Sequence, residues 1–240
     1  MNKRYWAILI VYIFMHLSSL VGIPILVGQG VNLYESFIYW SMGSFVVALL
    51  IILFLLIPER TERRLHPRLR KTTVSHAIKW AIIGVFLAFV AQFFAIFIET
   101  ELLGIEPGSE NTQEIIRMIE VLPIFAIIVA MVGPVLEEIV FRKIIFGALY
   151  KKFNFFLSAL LSAVIFAVVH FDFTHILIYT AVGFVFSLLY VKTGRIIVPI
   201  IAHVAMNGYA VLVQVLLVDY LEDIQKELEQ LQFILGGLLL

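Results

Sequence analysis

Long stretches without Asp, Glu, Lys or Arg dominate the chain. Six of them predict membrane-spanning helices, because a helix needs about 20 apolar residues to cross the ~30 Å hydrocarbon core of a bilayer. They cover 5–34, 36–58, 80–98, 153–171, 173–191 and 196–218. A seventh apolar tract, 121–150, is interrupted in its middle by Glu137, Glu138, Arg142 and Lys143.

Helices are the expected form of these spans, because a transmembrane barrel would alternate apolar and polar residues and because lipid leaves few other ways to satisfy the backbone. The first stretch follows Lys3 and Arg4, but it is too long for a signal peptide and lacks a small-residue cleavage site. We interpret it as a retained span. With no internal repeat or low-complexity linker, the chain is predicted to be one integral membrane domain, 1–240. The expected fold is an all-α polytopic bundle of about seven spans.

Composition supports this prediction. The chain is 62% hydrophobic and only 14% charged, whereas soluble domains have roughly 45–50% apolar and about 25% charged residues. Its 17 basic and 17 acidic residues leave no surplus of positive charge for nucleic acid. The absence of cysteine excludes disulfides, thiolate metal ligands and a thiol nucleophile.

Charge is distributed unevenly along the chain. With alternating spans, all basic residues except Arg117 and Lys226 fall on one side, while acidic residues concentrate in 99–120 and 219–229. Since Lys and Arg are enriched in cytoplasmic loops, we predict a multi-pass protein of the cell membrane. Its N-terminus would be cytoplasmic and its C-terminus outside.

The C-terminal tail has apolar residues at intervals of three and four, which predict an amphipathic helix. These residues are Leu221, Ile224, Leu228, Leu231 and Leu235. Such a helix could lie on the bilayer surface or bind a partner.

The charged residues within the seventh tract are candidates for chemistry, because burying an ionised side chain in a bilayer costs at least ~2.5–3.5 kcal/mol. Glu138 and Arg142 are spaced i, i+4 with the acid first, which favours an ion pair. Glu137 is rotated by about 100° on the helix, so it is left free as a candidate general base. An inert network that only joins helices is the alternative.

Histidines supply a second set of candidates. His170 ends one apolar stretch, and His203 and Asn207 share one face of another helix. Imidazole can transfer a proton or bind a metal, and an asparagine amide can stabilise an oxyanion. Singly, such residues often join helices; together with the glutamate pair they indicate a site.

The other histidines are weaker candidates. His16 is interpreted as a contact between helices, His66 and His76 belong to the basic loop, and the position of His175 is ambiguous.

Several hydrolytic mechanisms are excluded by the sequence. There is no HExxH zinc motif and no GxSxG nucleophile elbow. The spans contain no aspartate for an intramembrane aspartyl pair. Chemistry based on glutamate and histidine is what remains.

Three motifs occur in order: EExxxR at 137–142, FxxxH at 166–170 and HxxxN at 203–207. Together they resemble the CAAX protease and bacteriocin-processing family of intramembrane endopeptidases. The resemblance covers about 122–210, which would be the catalytic motif region. One departure is Lys143, where the family often has glycine after the motif arginine.

The resemblance implies hydrolysis of a peptide bond in a peptide or membrane-protein substrate. Glu137 would activate water with help from His170, and His203 and Asn207 would stabilise the oxyanion. Glu138 and Arg142 would orient the site.

Metal dependence is left open by the resemblance. A divalent metal such as zinc could be held by Glu137, His170 and His203 with a fourth position open, or no metal could be needed.

The depth of the motifs gives a geometric expectation. If helices run parallel from a common level, His203 lies roughly 10 Å nearer the cytoplasm than Glu137 and His170. Tilted helices, or a break that we predict at Gly133 and Pro134, must close this gap.

Two other functions are possible from the sequence. A non-catalytic regulatory or bacteriocin-immunity protein would use the polar cluster only for stability. A proton-coupled transporter is disfavoured, because no repeat or paired broken segments are found.

Overall fold

The computed structural model describes residues 2–62, 67–106 and 108–214, and it is helical with no strand in these ranges. Within these ranges, the complete segments with π-helical hydrogen bonding are Ile98–Leu102, Ile128–Val132 and Glu138–Phe146. The α-helices are α1 (Lys3–Leu17), α2 (Ser19–Gly28), α3 (Leu33–Glu62), α4 (Val74–Phe97), α5 (Glu110–Val121), α6 (Phe125–Ile127), α7 (Gly133–Glu137), α8 (Gly147–Tyr150), α9 (Phe155–Val168), α10 (Ile176–Thr193) and α11 (Ile197–Val213). The prediction of an all-α membrane protein is confirmed.

In the described part of the chain, four helical runs are long and apolar enough to cross a membrane: Lys3–Gly28, Leu33–Ile57, Val74–Leu102 and Ile176–Thr193. Two further predicted spans form shorter apolar helices, Phe155–Val168 and Ile197–Val213. The number of about seven spans therefore stays a prediction, as does the orientation of the N-terminus. The predicted C-terminal amphipathic helix lies outside the described residues.

The shortness of α9 affects the candidate site. Asn154 begins the helix, since its side chain accepts the Leu157 N–H at 2.9 Å, and the helix has 14 residues. At 1.5 Å per residue it is about 21 Å long, less than the ~30 Å of hydrocarbon. The chain then turns at Phe171, which has a positive φ of 55°. His170 is thus placed just beyond the end of a short helix.

Residues 125–150, which we call the motif helix, form one helical run that alternates between α and π hydrogen bonding. Gly133 has helical dihedrals, φ −54° and ψ −59°. The predicted break at Gly133 and Pro134 is therefore wrong. The backbone accommodates the proline by widening into a π segment just before it.

The core is arranged around α10, which packs against α4 and α9. Phe186 and Leu189 of α10 are buried with alanines of α4. A second cluster surrounds the motif helix and includes Tyr12 of α1, Phe141 and Phe166.

The two ends of the bundle differ in charge. At the basic end, Arg68 donates to the Tyr150 and Phe153 carbonyls at 2.7 Å each, and Arg195 donates to the Thr72 carbonyl. The other end, which we call the acidic end, is formed by Ile98–Leu102 and residues 103–106, 108–114 and 170–175. There, Ser109 donates to Asp172 at 2.5 Å. Segments that the charge pattern groups together therefore lie at the same end of the bundle in the structure.

Candidate active site

The motif helix is widened on both sides of Glu137. Gly133 donates its N–H to the Ile128 carbonyl, five residues back. In the same pattern the Val129 carbonyl would accept a hydrogen bond from residue 134, but this residue is Pro134, which has no N–H. Asn207 supplies the missing donor, because its Nδ2 lies 3.2 Å from the Val129 oxygen. One amide hydrogen of this motif residue thus serves the backbone, and π segments of this kind are frequent at functional sites.

Glu138 and Arg142 form a buried ion pair, with Glu138 Oε1 3.2 Å from an Arg142 Nη atom. The i, i+4 spacing predicts this contact. Both side chains are at most 1% exposed, and His203 Nδ1 lies 2.9 Å from the same carboxylate oxygen. Glu138 is therefore committed to two partners on two helices.

Aromatic rings complete the surroundings of Arg142. Its guanidinium lies 4.2 Å from the ring centre of Phe166 and 5.2 Å from that of Phe186. The guanidinium nitrogens make no hydrogen bond with the described residues, so the ion pair and the ring faces hold the charge. Gly183 provides the space, because a Cβ there would lie 3.0 Å from Arg142 Nη2.

Glu137 differs from its neighbour in accessibility. Its side chain is 19% exposed, whereas that of Glu138 is 0% exposed. Glu137 Oε2 lies 3.7 Å from His203 Nε2. Because His203 Nδ1 faces the buried carboxylate, the ring turns its other nitrogen toward the accessible one.

His170 has a defined tautomer when neutral. Its Nδ1 lies 2.8 Å from the Phe166 carbonyl oxygen, which can only accept, so Nδ1 carries the proton and Nε2 keeps its lone pair. The ring stacks on Tyr179, with centroids 4.2 Å apart. His170 and Glu137 are close enough for electrostatic interaction.

The gap in depth that parallel helices would leave at His203 is closed, since this residue contacts both Glu137 and Glu138. The estimate assumed parallel helices starting at one level. In the structure, α11 packs against Ile128–Val132 and against α7. This packing brings His203 to the level of the glutamates while the backbone stays helical through Pro134.

The side chains considered for a metal ion are those of Glu137, His170 and His203. Both histidines have tautomers that would leave Nε2 free for a metal. Nevertheless, the described residues contain no group of three or more His, Asp or Glu side chains that could hold a metal ion. We therefore derive no step through a metal, and a metal site at Glu137, His170 and His203 stays a prediction.

Some residues near the site were not predicted or were discounted. His16 contacts Phe45 of α3, with ring centroids 5.7 Å apart, which agrees with a contact between helices. It also lies within electrostatic reach of Glu137 and His170. Tyr12 shares this face of α1 and packs edge-on against Phe141. Their i, i+4 spacing was the available signal, and only the packing shows which helix they meet.

His175 belongs to a different pair at the acidic end. Its Nδ1 lies 2.9 Å from Glu99 Oε2, and its Nε2 lies 3.3 Å from the Gly108 carbonyl. Burial by itself lowers the pKa of His175, but the hydrogen bond to Glu99 and the charge of Asp172 outweigh burial and raise the pKa above 6.5.

Comparison with known proteins agrees with the motifs. The chain is 44% identical over its full length to all of YdiL of Bacillus subtilis (strain 168), whose name describes it provisionally as a membrane peptidase. It is 33% identical over 96% of its length to the membrane-embedded CAAX protease MroQ of Staphylococcus aureus (strain USA300), covering 97% of that protein. The chain belongs to the CAAX protease and bacteriocin-processing family. The family described as type II CAAX prenyl endopeptidase Rce1-like matches residues 119–209, which include all three motifs. No solved structure matches this CAAX protease family member.

Family membership makes the chain a membrane peptidase of the CAAX type. Its substrate is therefore a peptide or protein in a membrane setting.

Proposed function

We propose that the protein is an intramembrane endopeptidase in which Glu137 activates the attacking water. The carrying observation is the contrast between two adjacent carboxylates. Glu138 is inaccessible and held by Arg142 and His203, whereas Glu137 is partly accessible and faces His203 Nε2. A base must reach the proton that it removes, and of these two only Glu137 is accessible.

His170 assists as a proton acceptor or donor through Nε2, since Nδ1 is occupied by the Phe166 carbonyl. His203, which Glu138 orients through Nδ1, stabilises the oxyanion of the tetrahedral intermediate when its Nε2 also carries a proton. Asn207 acts with it, using the amide hydrogen that is not given to Val129. Glu138 and Arg142 act as positioning residues. The peptidase relatives favour this function over a non-catalytic regulatory or immunity role.

The test uses the whole protein in detergent or nanodiscs with a quenched fluorescent membrane peptide. Glu137→Gln keeps size and removes the base, so we expect cleavage to fall by at least about 10²-fold. His170→Ala should lower cleavage by a similar factor. Glu101→Gln, an exposed acid at the acidic end, is the matched control and should keep wild-type cleavage.

Unfolding of each variant is measured in parallel. Full cleavage by Glu137→Gln in a folded protein would contradict the assignment of the base. Cleavage that survives exhaustive chelation supports a mechanism without metal, while loss that zinc alone restores would contradict it.

A further inference from the structure

The acidic end contains a cavity of about 1180 Å³, and His170 forms part of its wall. This volume exceeds the ~300–1,000 Å³ of most small-molecule sites, so the cavity has room for several residues of a peptide. Since we assign His170 to the cleavage chemistry, this residue is common to the cavity wall and the proposed active site.

An aromatic side chain lies in this wall directly beside His170. Phe171 is 80% exposed, and its φ of 55° is unusual for a bulky residue. Such backbone strain is typical of functional sites. Phe37, Met118 and Phe173 add further apolar surface to the wall. This surface suits an apolar side chain of a bound segment.

The cavity also has a definite charge. Among the described residues, its wall includes Glu106, Glu110, Glu114 and Asp172 but no Lys or Arg. Glu114 is paired with Arg117 at 2.6 Å, and Asp172 accepts a hydrogen bond from Ser109.

Glu106 and Glu110 are the acids of this wall whose side chains have neither an ion pair nor a hydrogen bond among the described residues. Within the described ranges they have no ion pair at 4.0 Å or less. A cation in the cavity would therefore meet carboxylates that no described residue neutralises.

We propose that the cavity binds the part of the substrate beside the cleavage site, and that it selects a peptide segment with apolar side chains and a Lys or Arg. This inference rests on the proposed peptidase function. The wall repels anionic lipid headgroups, because like charges at close range are unfavourable. A basic peptide matches both the apolar and the acidic parts of the wall.

Binding is tested separately from cleavage with the full-length Glu137→Gln protein. Two labelled peptides are compared by fluorescence anisotropy: an apolar peptide with Lys, and the same peptide with norleucine in place of Lys. We expect the Lys peptide to bind about tenfold more tightly at low salt, with the ratio falling as salt rises. Adding Glu106→Gln and Glu110→Gln should reduce the ratio to about one.

Glu101→Gln with Glu120→Gln is the matched control, because both acids are exposed and neither lines the cavity. This control should keep the tenfold ratio. Equal binding of the two peptides to the parent protein, or equal loss of selectivity in the control, would overturn the inference. Displacement of both peptides by a short-chain phosphatidylcholine would identify a lipid as the occupant and overturn it too.

Cleavage by the wild type separates the proposed peptidase function from the proposed selectivity of the cavity. A protein that binds the Lys peptide selectively but cleaves neither peptide contradicts the proposed function and leaves the selectivity standing. Cleavage of both peptides with equal kcat/KM and equal Kd contradicts only the inference about the cavity.

Discussion

Two buried glutamate–histidine pairs lie in different parts of this molecule. In each, a histidine Nδ1 lies 2.9 Å from a carboxylate oxygen: His203 with Glu138, and His175 with Glu99. The two glutamates are 0% and 2% exposed. By distance and burial the pairs are nearly the same.

The two pairs differ in the partners of their other polar atoms, which lie outside the contact at 2.9 Å. At the acidic end, His175 Nε2 faces the Gly108 carbonyl, and Glu99 Oε1 accepts the Ile178 N–H. That pair uses its polar atoms to join a loop to the start of α10. In the motif region, His203 Nε2 faces the accessible Glu137. A buried pair is thus suited to chemistry when one of its atoms remains directed at an accessible reactive group.

The largest expected difference between the pairs is in stability. Glu138→Gln leaves the buried guanidinium of Arg142 without its counter-ion, and Arg cannot lose its charge. We expect a loss of about 3–5 kcal/mol in the free energy of unfolding. Glu99→Gln should cost only about 1–3 kcal/mol, because His175 can become neutral. Titration with a denaturing detergent, followed by tryptophan fluorescence, measures both.

Activity provides the second half of this comparison. Glu138→Gln should also lower kcat, because His203 loses the carboxylate that orients it, whereas Glu99→Gln should leave kcat within about threefold. Equal losses of stability and kcat in the two variants would show that the pairs are equivalent.

Gly183 allows a smaller change in the same region. An added Cβ would lie 3.0 Å from Arg142 Nη2 and 3.2 Å from both Ala163 Cβ and Phe166 Cδ1. Arg142 lies between two rings and cannot easily move, so Gly183→Ala should destabilise by about 1–3 kcal/mol.

Gly43→Ala is the matched control, because a Cβ at this helical glycine meets nothing within 4 Å. Removing a helical glycine should leave the free energy of unfolding unchanged or raise it by up to ~1 kcal/mol. If both variants have the same midpoint of unfolding, the side chains around Arg142 are not tightly packed.

Local sequence rules predicted part of this site. The i, i+4 rule gave the Glu138–Arg142 contact, and helical periodicity placed His203 and Asn207 on one face. Both depend only on residues of one helix. The apolar stretches likewise gave the all-α fold, because the bilayer restricts the possible forms.

Other features depend on contacts between helices and could not be predicted. The missing N–H of Pro134 shows that a carbonyl is left free, but not that Asn207, 73 residues later, donates to it. The predicted break was therefore wrong. The packing that brings His203 level with the glutamates could not be predicted either, because hydropathy does not show where α11 crosses the motif helix. Tyr179 stacks on His170 from another helix, and no motif includes it.

The smallest expected effect concerns pH, and it applies to the pair at the acidic end. The pKa of His175 is raised in the folded protein, so protonation of His175 stabilises the fold. This contribution is fully present below the unfolded-state pKa of about 6.5 and is lost as pH rises through the raised folded-state pKa. In Glu99→Gln the main cause of the raised pKa is removed, so the decline should flatten. The unfolding midpoints of wild type and variant are measured between about pH 5 and 9, and their difference removes the contributions of the other titrating groups.

Glu101→Gln, on the same π segment but exposed, is the control and should follow the wild type. A difference between wild type and Glu99→Gln that stays constant with pH would mean that His175 is neutral throughout. Glu99 would then act only as a hydrogen-bond acceptor that joins the loop to the start of α10.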